Sequence, residues 1–172
     1  MVQRCIMIFP KFQNNNLIEE IRKQHDPLYQ LVDPHVTLVF PFHSDFSKDQ
    51  LREHIVSALK DINTFYLKIY GVSGGSGGYL FLNVIEGKDE LSEIHNRLYT
   101  GMLEQYKPDF LYNTDYIPHM TIGRIADKEE LERLIEHYKT MNETFEELIK
   151  EISVEIIGDD EESIIEMTIE IN

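Results

Sequence analysis

At 172 residues, 42% of them apolar and 27% charged, the chain can build one domain with a packed core and is too apolar for wholesale disorder. The formal net charge of −15 opposes binding to a long nucleic acid, which is held by neutralising phosphates. A short substrate or a nucleic-acid end is compatible with it, because exposed charges are screened beyond about 8 Å.

Cys5 is the single cysteine, so no internal disulfide or thiolate cluster can form, and it reads as a small buried hydrophobe. The N-terminal residues lack a signal-peptide pattern, and no apolar run approaches the roughly 18 residues that span a membrane. The expected compartment is the cytoplasm.

In chain order, Arg4–Phe9 reads as a buried strand. Asn14–Asn16 offers caps for a short helix over Leu17–Gln24, stopped before Pro27. His35–Phe40 is a strand rich in β-branched and aromatic residues, closed by Pro41. Ser47 and Gln50 have capping-box spacing and open a helix to about Lys60, with Leu51, Ile55 and Leu59 on one face. Thr64–Tyr70 alternates as a strand. The run Gly71–Gly78 lacks the Gly-Lys-Ser/Thr of a phosphate cradle and reads as a flexible connector.

The second half repeats the plan. Tyr79–Val84 is a strand, and Lys88–Tyr106 a long helix with Leu91, Ile94, Leu98 and Met102 in register. His119–Gly123 is a strand, and Asp127 caps a helix to Lys139. Ile152, Val154 and Ile156 alternate within the ambiguous segment 144–158, and Ile164–Ile171 is the last strand. Strand, helix, motif strand, helix, strand thus occurs twice. The predicted organisation is a single two-lobed α+β domain of pseudo-two-fold design, with lobes 1–70 and 79–172 joined by loop 71–78.

The duplication is written most clearly in two short motifs. Pro34-His35-Val36-Thr37-Leu38 returns as Pro118-His119-Met120-Thr121-Ile122. Residues i and i+2 of a strand share a face, so His35 and Thr37 point together, as do His119 and Thr121. Val36, Leu38, Met120 and Ile122 point to the core. A proline lacks the ladder donor and suits the first position of each strand. If the halves pack by pseudo-symmetry, two imidazoles and two hydroxyls face one cleft.

Imidazole titrates near neutrality, so one ring can act as base and the other as acid. That pairing suits displacement at a phosphodiester phosphorus, with the threonine hydroxyls donating to non-bridging oxygens. Such a scheme needs no metal and no cofactor.

These paired motifs and the two-lobe order resemble the two-histidine phosphoesterase superfamily, which includes the bacterial RNA ligase/cyclic phosphodiesterase proteins. The resemblance covers nearly the whole chain. It implies antiparallel sheets around a central cleft, with helices outside and the motifs on central strands. It also implies metal-independent action on a 2',3'-cyclic phosphate, a 2'-5' linkage or a related cyclic nucleotide. His35 and His119 would be the acid/base pair, and Thr37 and Thr121 the phosphate binders. The partner would be a small cyclic nucleotide or a short RNA terminus, and the chain is expected to act as a monomer. Two alternatives are a non-catalytic nucleotide or RNA-end binding module of the same fold, and a metal-dependent hydrolase using some of the histidines.

Cations near the motifs are few. Arg124 follows the second motif but has the wrong parity to face the cleft unless the strand bulges, and Arg4, Lys11 and Lys68 have no assigned place. His54, His95 and His137 lie on predicted helices and read as surface residues, and His25 lies near a helix C-terminus. His43 fits a loop better than the cleft. Phe42, Tyr79 and Tyr116 fit core or rim packing better than base stacking. No His-Glu-x-x-His or Cys-x-x-Cys spacing points to zinc.

Overall fold

The structure, a computed structural model, describes residues 1–172. Its strands are β1 (Val2–Ile8), β2 (Val36–Ser44), β3 (Phe65–Gly75), β4 (Tyr79–Glu86), β5 (His119–Arg124), β6 (Phe145–Ile149), β7 (Glu151–Ile157) and β8 (Ser163–Glu170). They form one antiparallel sheet in the order β6-β3-β4-β5-β2-β1-β7-β8. The helices are α1 (Asn15–His25), α2 (Lys48–Ala58), α3 (Lys88–Leu98) and α4 (Lys128–Tyr138). The α+β class and the antiparallel pairing expected from the sequence are what the chain adopts.

The two sides of the sheet keep the same register. Met7 faces Thr37 and Ile8 faces Val36 in one; Phe81 faces Thr121 and Leu82 faces Met120 in the other. The sides meet where Val36 faces Met120, so a pseudo-two-fold axis passes between those residues. Each motif strand is covered by the other side's helix, α1 packing on β5 and α3 on β2. Leu91, Ile94 and Leu98 of α3 are fully buried. At about 1.5–3 kcal/mol each, their burial docks an 11-residue helix that would be marginal alone.

The strand order crosses the division expected at 71–78. β3, which begins before that segment, lies between β4 and β6, while β7 and β8 extend the side begun by β1. Nor is Gly71–Gly78 a connector: β3 runs through Gly75, and only a tight turn separates it from β4. The glycines serve close approach. A Cβ on Gly75 would lie 2.2 Å from the Phe81 ring, and one on Gly78, at φ +85°, would lie 2.1 Å from the Ile125 carbonyl oxygen.

Other boundaries moved for local reasons. The long helix expected to Tyr106 ends at Leu98; Gly101 has φ +53°, and two 3-10 turns, Gly101–Tyr106 and Asp109–Tyr112, follow. β2 does not stop at Pro41 but continues to Ser44. Pairing shifts from Ile6–Val39 to Arg4–Phe42, and Pro41 sits inside that bulge, where no ladder donor is required. The Ser47–Gln50 capping box and the Asp127 cap form as read from the sequence.

Candidate functional site

The Val36–Met120 pair fixes how the two motifs meet. Carrying its register one residue each way sets His35 across from Thr121 and Thr37 across from His119. Val36 and Met120 are fully buried beneath, and the four polar side chains are half-buried on the opposite face. The pairing therefore brings the two motifs alongside one another, with His35, Thr37, His119 and Thr121 all on the face opposite Val36 and Met120.

Both rings are held the same way. His35 Nδ1 lies 2.8 Å from the Asp33 carbonyl oxygen, and His119 Nδ1 lies 2.7 Å from that of Ile117. A carbonyl oxygen only accepts, so Nδ1 carries the hydrogen in each ring and Nε2 keeps its lone pair. Burial lowers the proton affinity of both rings, and the two carbonyl bonds partly oppose it. The Arg22 charge and, more weakly, that of His119 push His35 further down, against Asp26.

The surroundings differ between the two sides. Phe81 packs against His119 at 3.9 Å between ring centroids and stacks on Tyr79 at 5.8 Å. Arg124 lies over Tyr79, with its guanidinium carbon 5.3 Å from the ring centroid. It reaches that face because β5 bulges: Leu80 pairs with Gly123 but Phe81 pairs with Thr121, so Ile122 is the extra residue and the parity resets. Arg124 and Tyr79 are thus opposite one another, on the face that carries Phe81 and Thr121.

The other cations lie elsewhere. Arg4 is buried, with Nε and one terminal nitrogen 2.8 and 2.9 Å from the Glu166 carboxylate. Lys11 pairs with Glu151 at 3.8 Å and Lys68 with Glu146 at 2.5 Å.

Two buried groups that steady the motifs were not read from the sequence as such. The Arg22 guanidinium, 1% exposed, donates to Asp26, Glu19 and the carbonyls of Leu28 and Val32, pinning the segment that leads to His35. On the other side, the Tyr116 hydroxyl donates to the Thr37 carbonyl at 2.6 Å, and its ring stacks on His95 at 3.9 Å. His95 in turn donates from Nδ1 to the Leu38 carbonyl at 2.7 Å, and the Phe40 amide donates to the Tyr99 hydroxyl at 2.9 Å. These contacts satisfy β2 where its pairing with β5 is limited to one residue pair.

His95 is therefore not a surface residue. It lies on the same helical stripe as Leu91, Ile94 and Leu98, as Arg22 does with Ile18 and Ile21. A polar residue on an apolar stripe was the signal that could have found both.

His43 is in β2 rather than a loop, and with His35 and Thr37 it lines a cavity of about 850 Å³. Phe42 packs on Tyr106 at 5.2 Å. His25 bonds the Tyr138 hydroxyl at 3.2 Å, His54 the Leu98 carbonyl at 3.0 Å, and His137 is exposed on α4. No three His, Cys, Asp or Glu side chains are grouped to hold a metal ion, and no helix is long and apolar enough to cross a membrane.

Residues 9–161 match the model of the 2'-5' RNA ligase superfamily. Among curated proteins, the chain is 28% identical over 149 residues to a candidate phosphoesterase of Bacillus licheniformis, covering 84% of this chain and 83% of that protein. A candidate phosphoesterase of a Geobacillus species is 30% identical over 150 residues, at 84% and 82% coverage. Among solved structures, E. coli LigT complexed with 3'-AMP has the same fold at a TM-score of 0.67 and 14% identity, covering 99% of this chain and 98% of that one.

Proposed function

The chain belongs to the 2'-5' RNA ligase superfamily, and we propose that within it the protein is a metal-independent phosphodiesterase. Its substrate would be a 2',3'-cyclic phosphate, a 2'-5' linkage or a related cyclic nucleotide. The observation that carries this reading is the pair of imidazoles, each with Nδ1 tied to the carbonyl two residues back and Nε2 left for chemistry, at a register that crosses the two motifs.

In this scheme one Nε2 takes a proton from water as the water oxygen bonds to phosphorus. The other ring, protonated, gives its Nε2 proton to the leaving ribose oxygen as the P–O bond breaks. The products are a phosphomonoester and a free hydroxyl, and proton exchange with solvent resets the rings. Thr37 and Thr121 donate to the non-bridging oxygens, where negative charge resides during transfer. Arg124 and the Tyr79–Phe81 stack offer a cationic, aromatic wall beside His119 for the nucleoside portion of the substrate.

The deciding experiment is hydrolysis of a panel of 2',3'-cyclic nucleotides and 2'-5' dinucleotides with EDTA present. Turnover that survives EDTA supports the scheme. Binding without turnover would favour a non-catalytic module, and activity lost in EDTA but restored by a divalent ion would favour metal chemistry.

A further inference from the structure

The cavity beside His35 and Thr37 is larger than the chemistry above requires. It is an open hollow of about 850 Å³, room for far more than one attacking water. Its floor continues from Thr37 along β1 and β7, through Met7 and Cys5 to Glu155, which faces Cys5 across the ladder.

Glu155 is 3% exposed. The Ser163 hydroxyl donates to its Oε2, the carboxyl's one hydrogen bond within the protein. Burial raises its proton affinity, so the carboxyl can serve as donor as well as acceptor. Asp159, Glu161 and Glu162 stand on the turn above it, and no lysine or arginine side chain lines the cavity.

At the other end of the cleft lie Arg124, Tyr79 and Phe81. The four motif residues thus sit between a cationic aromatic shelf and an acidic pocket. A mononucleoside cyclic phosphate carries one organic group and fills only one of the two.

We propose that the cavity floored by Met7, Cys5 and Glu155 is a subsite for a second substituent of the phosphodiester, an uncharged or cationic group bearing hydroxyl or amine donors. The preferred substrate then has an organic group on each side of phosphorus, and the group in this pocket carries no terminal phosphate. The proposal rests on the phosphodiesterase reading. A hydroxyl or amine placed there meets the Glu155 carboxyl, whose one hydrogen bond within the protein is from Ser163 to Oε2. A phosphate placed there meets the carboxylates of Asp159, Glu161 and Glu162 and no Lys or Arg side chain, and the one ammonium of the lining, at Met1, is already paired with Asp45.

The test uses the full chain and matched probes: adenosine 2',3'-cyclic phosphate, 2'-5'-linked diadenosine monophosphate, and that dinucleotide with a terminal phosphate at either end. The plain dinucleotide should exceed the cyclic phosphate at least tenfold in kcat/KM, and a phosphate at one of the two ends should abolish the advantage. Glu155→Leu should lower kcat/KM for the dinucleotide at least fivefold and for the cyclic phosphate less than twofold. Asp159→Lys, an exposed turn change that leaves the core intact, should recover turnover of the phosphate-bearing dinucleotide.

Equal kcat/KM for one-sided and two-sided probes would overturn the subsite, as would variants that shift both alike. No turnover of any probe would instead overturn the phosphodiesterase reading, and the subsite with it.

Discussion

Val36 and Met120, each the residue after a motif histidine, face one another across the only registered pair between β2 and β5. Both are fully buried, and truncating either to alanine would cost about 2–4 kcal/mol by the usual scale for core side chains. Their position matters more than their size. A pair of equivalent residues on a pseudo-two-fold axis brings the residues on either side of it together crosswise, histidine to threonine.

Under the proposed scheme the two histidines act on one phosphorus, as one unit. His35→Ala and His119→Ala should each lower kcat by roughly 10²-fold or more while the fold stays native by circular dichroism. The double variant should be little worse than the worse single one, because groups acting on one phosphorus are not additive. Independent, multiplicative losses would separate the two motifs into two jobs.

The pH profile follows from the shared direction of the two shifts. Burial lowers both rings below the ordinary value of about 6.5. A base must be neutral and an acid protonated, so kcat/KM should be bell-shaped with its maximum on the acid side of that value. A bound phosphate stabilises the protonated ring, so the kcat profile should lie at higher pH than the kcat/KM profile. Limbs that both fall above pH 7 would contradict the burial of the rings.

Tyr116 ties the segment before His119 to the strand of His35 through the Thr37 carbonyl. Tyr116→Phe keeps the stack on His95 but leaves that carbonyl without its donor, at a cost of about 1–3 kcal/mol. Because the bond joins the two motifs, kcat should fall about tenfold with KM nearly unchanged, as measured at saturating substrate. A variant that lost stability alone would show that the tether does not set the spacing of the rings.

His95 carries the clearest stability signature. Burial, opposed by its bond to Leu38 and reinforced by Lys107, lowers its pKa to about 4. The folded state therefore resists protonating a ring that the unfolded chain protonates near 6.5. The stabilising difference is fully present above about pH 6.5 and is lost as pH falls toward 4, by roughly 3 kcal/mol in all. Urea unfolding between pH 7 and 4.5 should show that slope, and His95→Gln, which retains a donor for Leu38, should flatten it.

Much of this was legible in the sequence because it depends on local pattern. Ser47 with Gln50 and Asp127 with Glu130 wrote their own caps, and the two motifs wrote strands with a defined polar face. What stayed hidden depends on partners distant in the chain. The bulge that turns Arg124 toward Tyr79 is visible only once β4 pairs with β5. The glycines of β3 look like a linker until Phe81 is seen to need the space above Gly75. His95 and Arg22 are both recoverable from the sequence, since each sits on an apolar helical stripe, where a polar residue signals a buried partner and not a solvated face.

The exchange of strands between the two sides has a consequence for how the molecule is made. β1 and β2 are synthesised first, yet β1's other neighbour, β7, and β8 beyond it lie between residues 151 and 170. β3 leaves the ribosome before both of its neighbours, β4 and β6. The β3–β4 and β7–β8 hairpins can close locally, but the β1–β7, β3–β6 and β2–β5 pairings that complete the sheet span long sequence separations and close late. The exchange also means that the ancestral-looking repeat cannot be cut back into its two copies. A chain split at the turn near Gly77 yields two fragments, each holding strands that belong beside the other, and only their co-folding restores a complete pair of motifs.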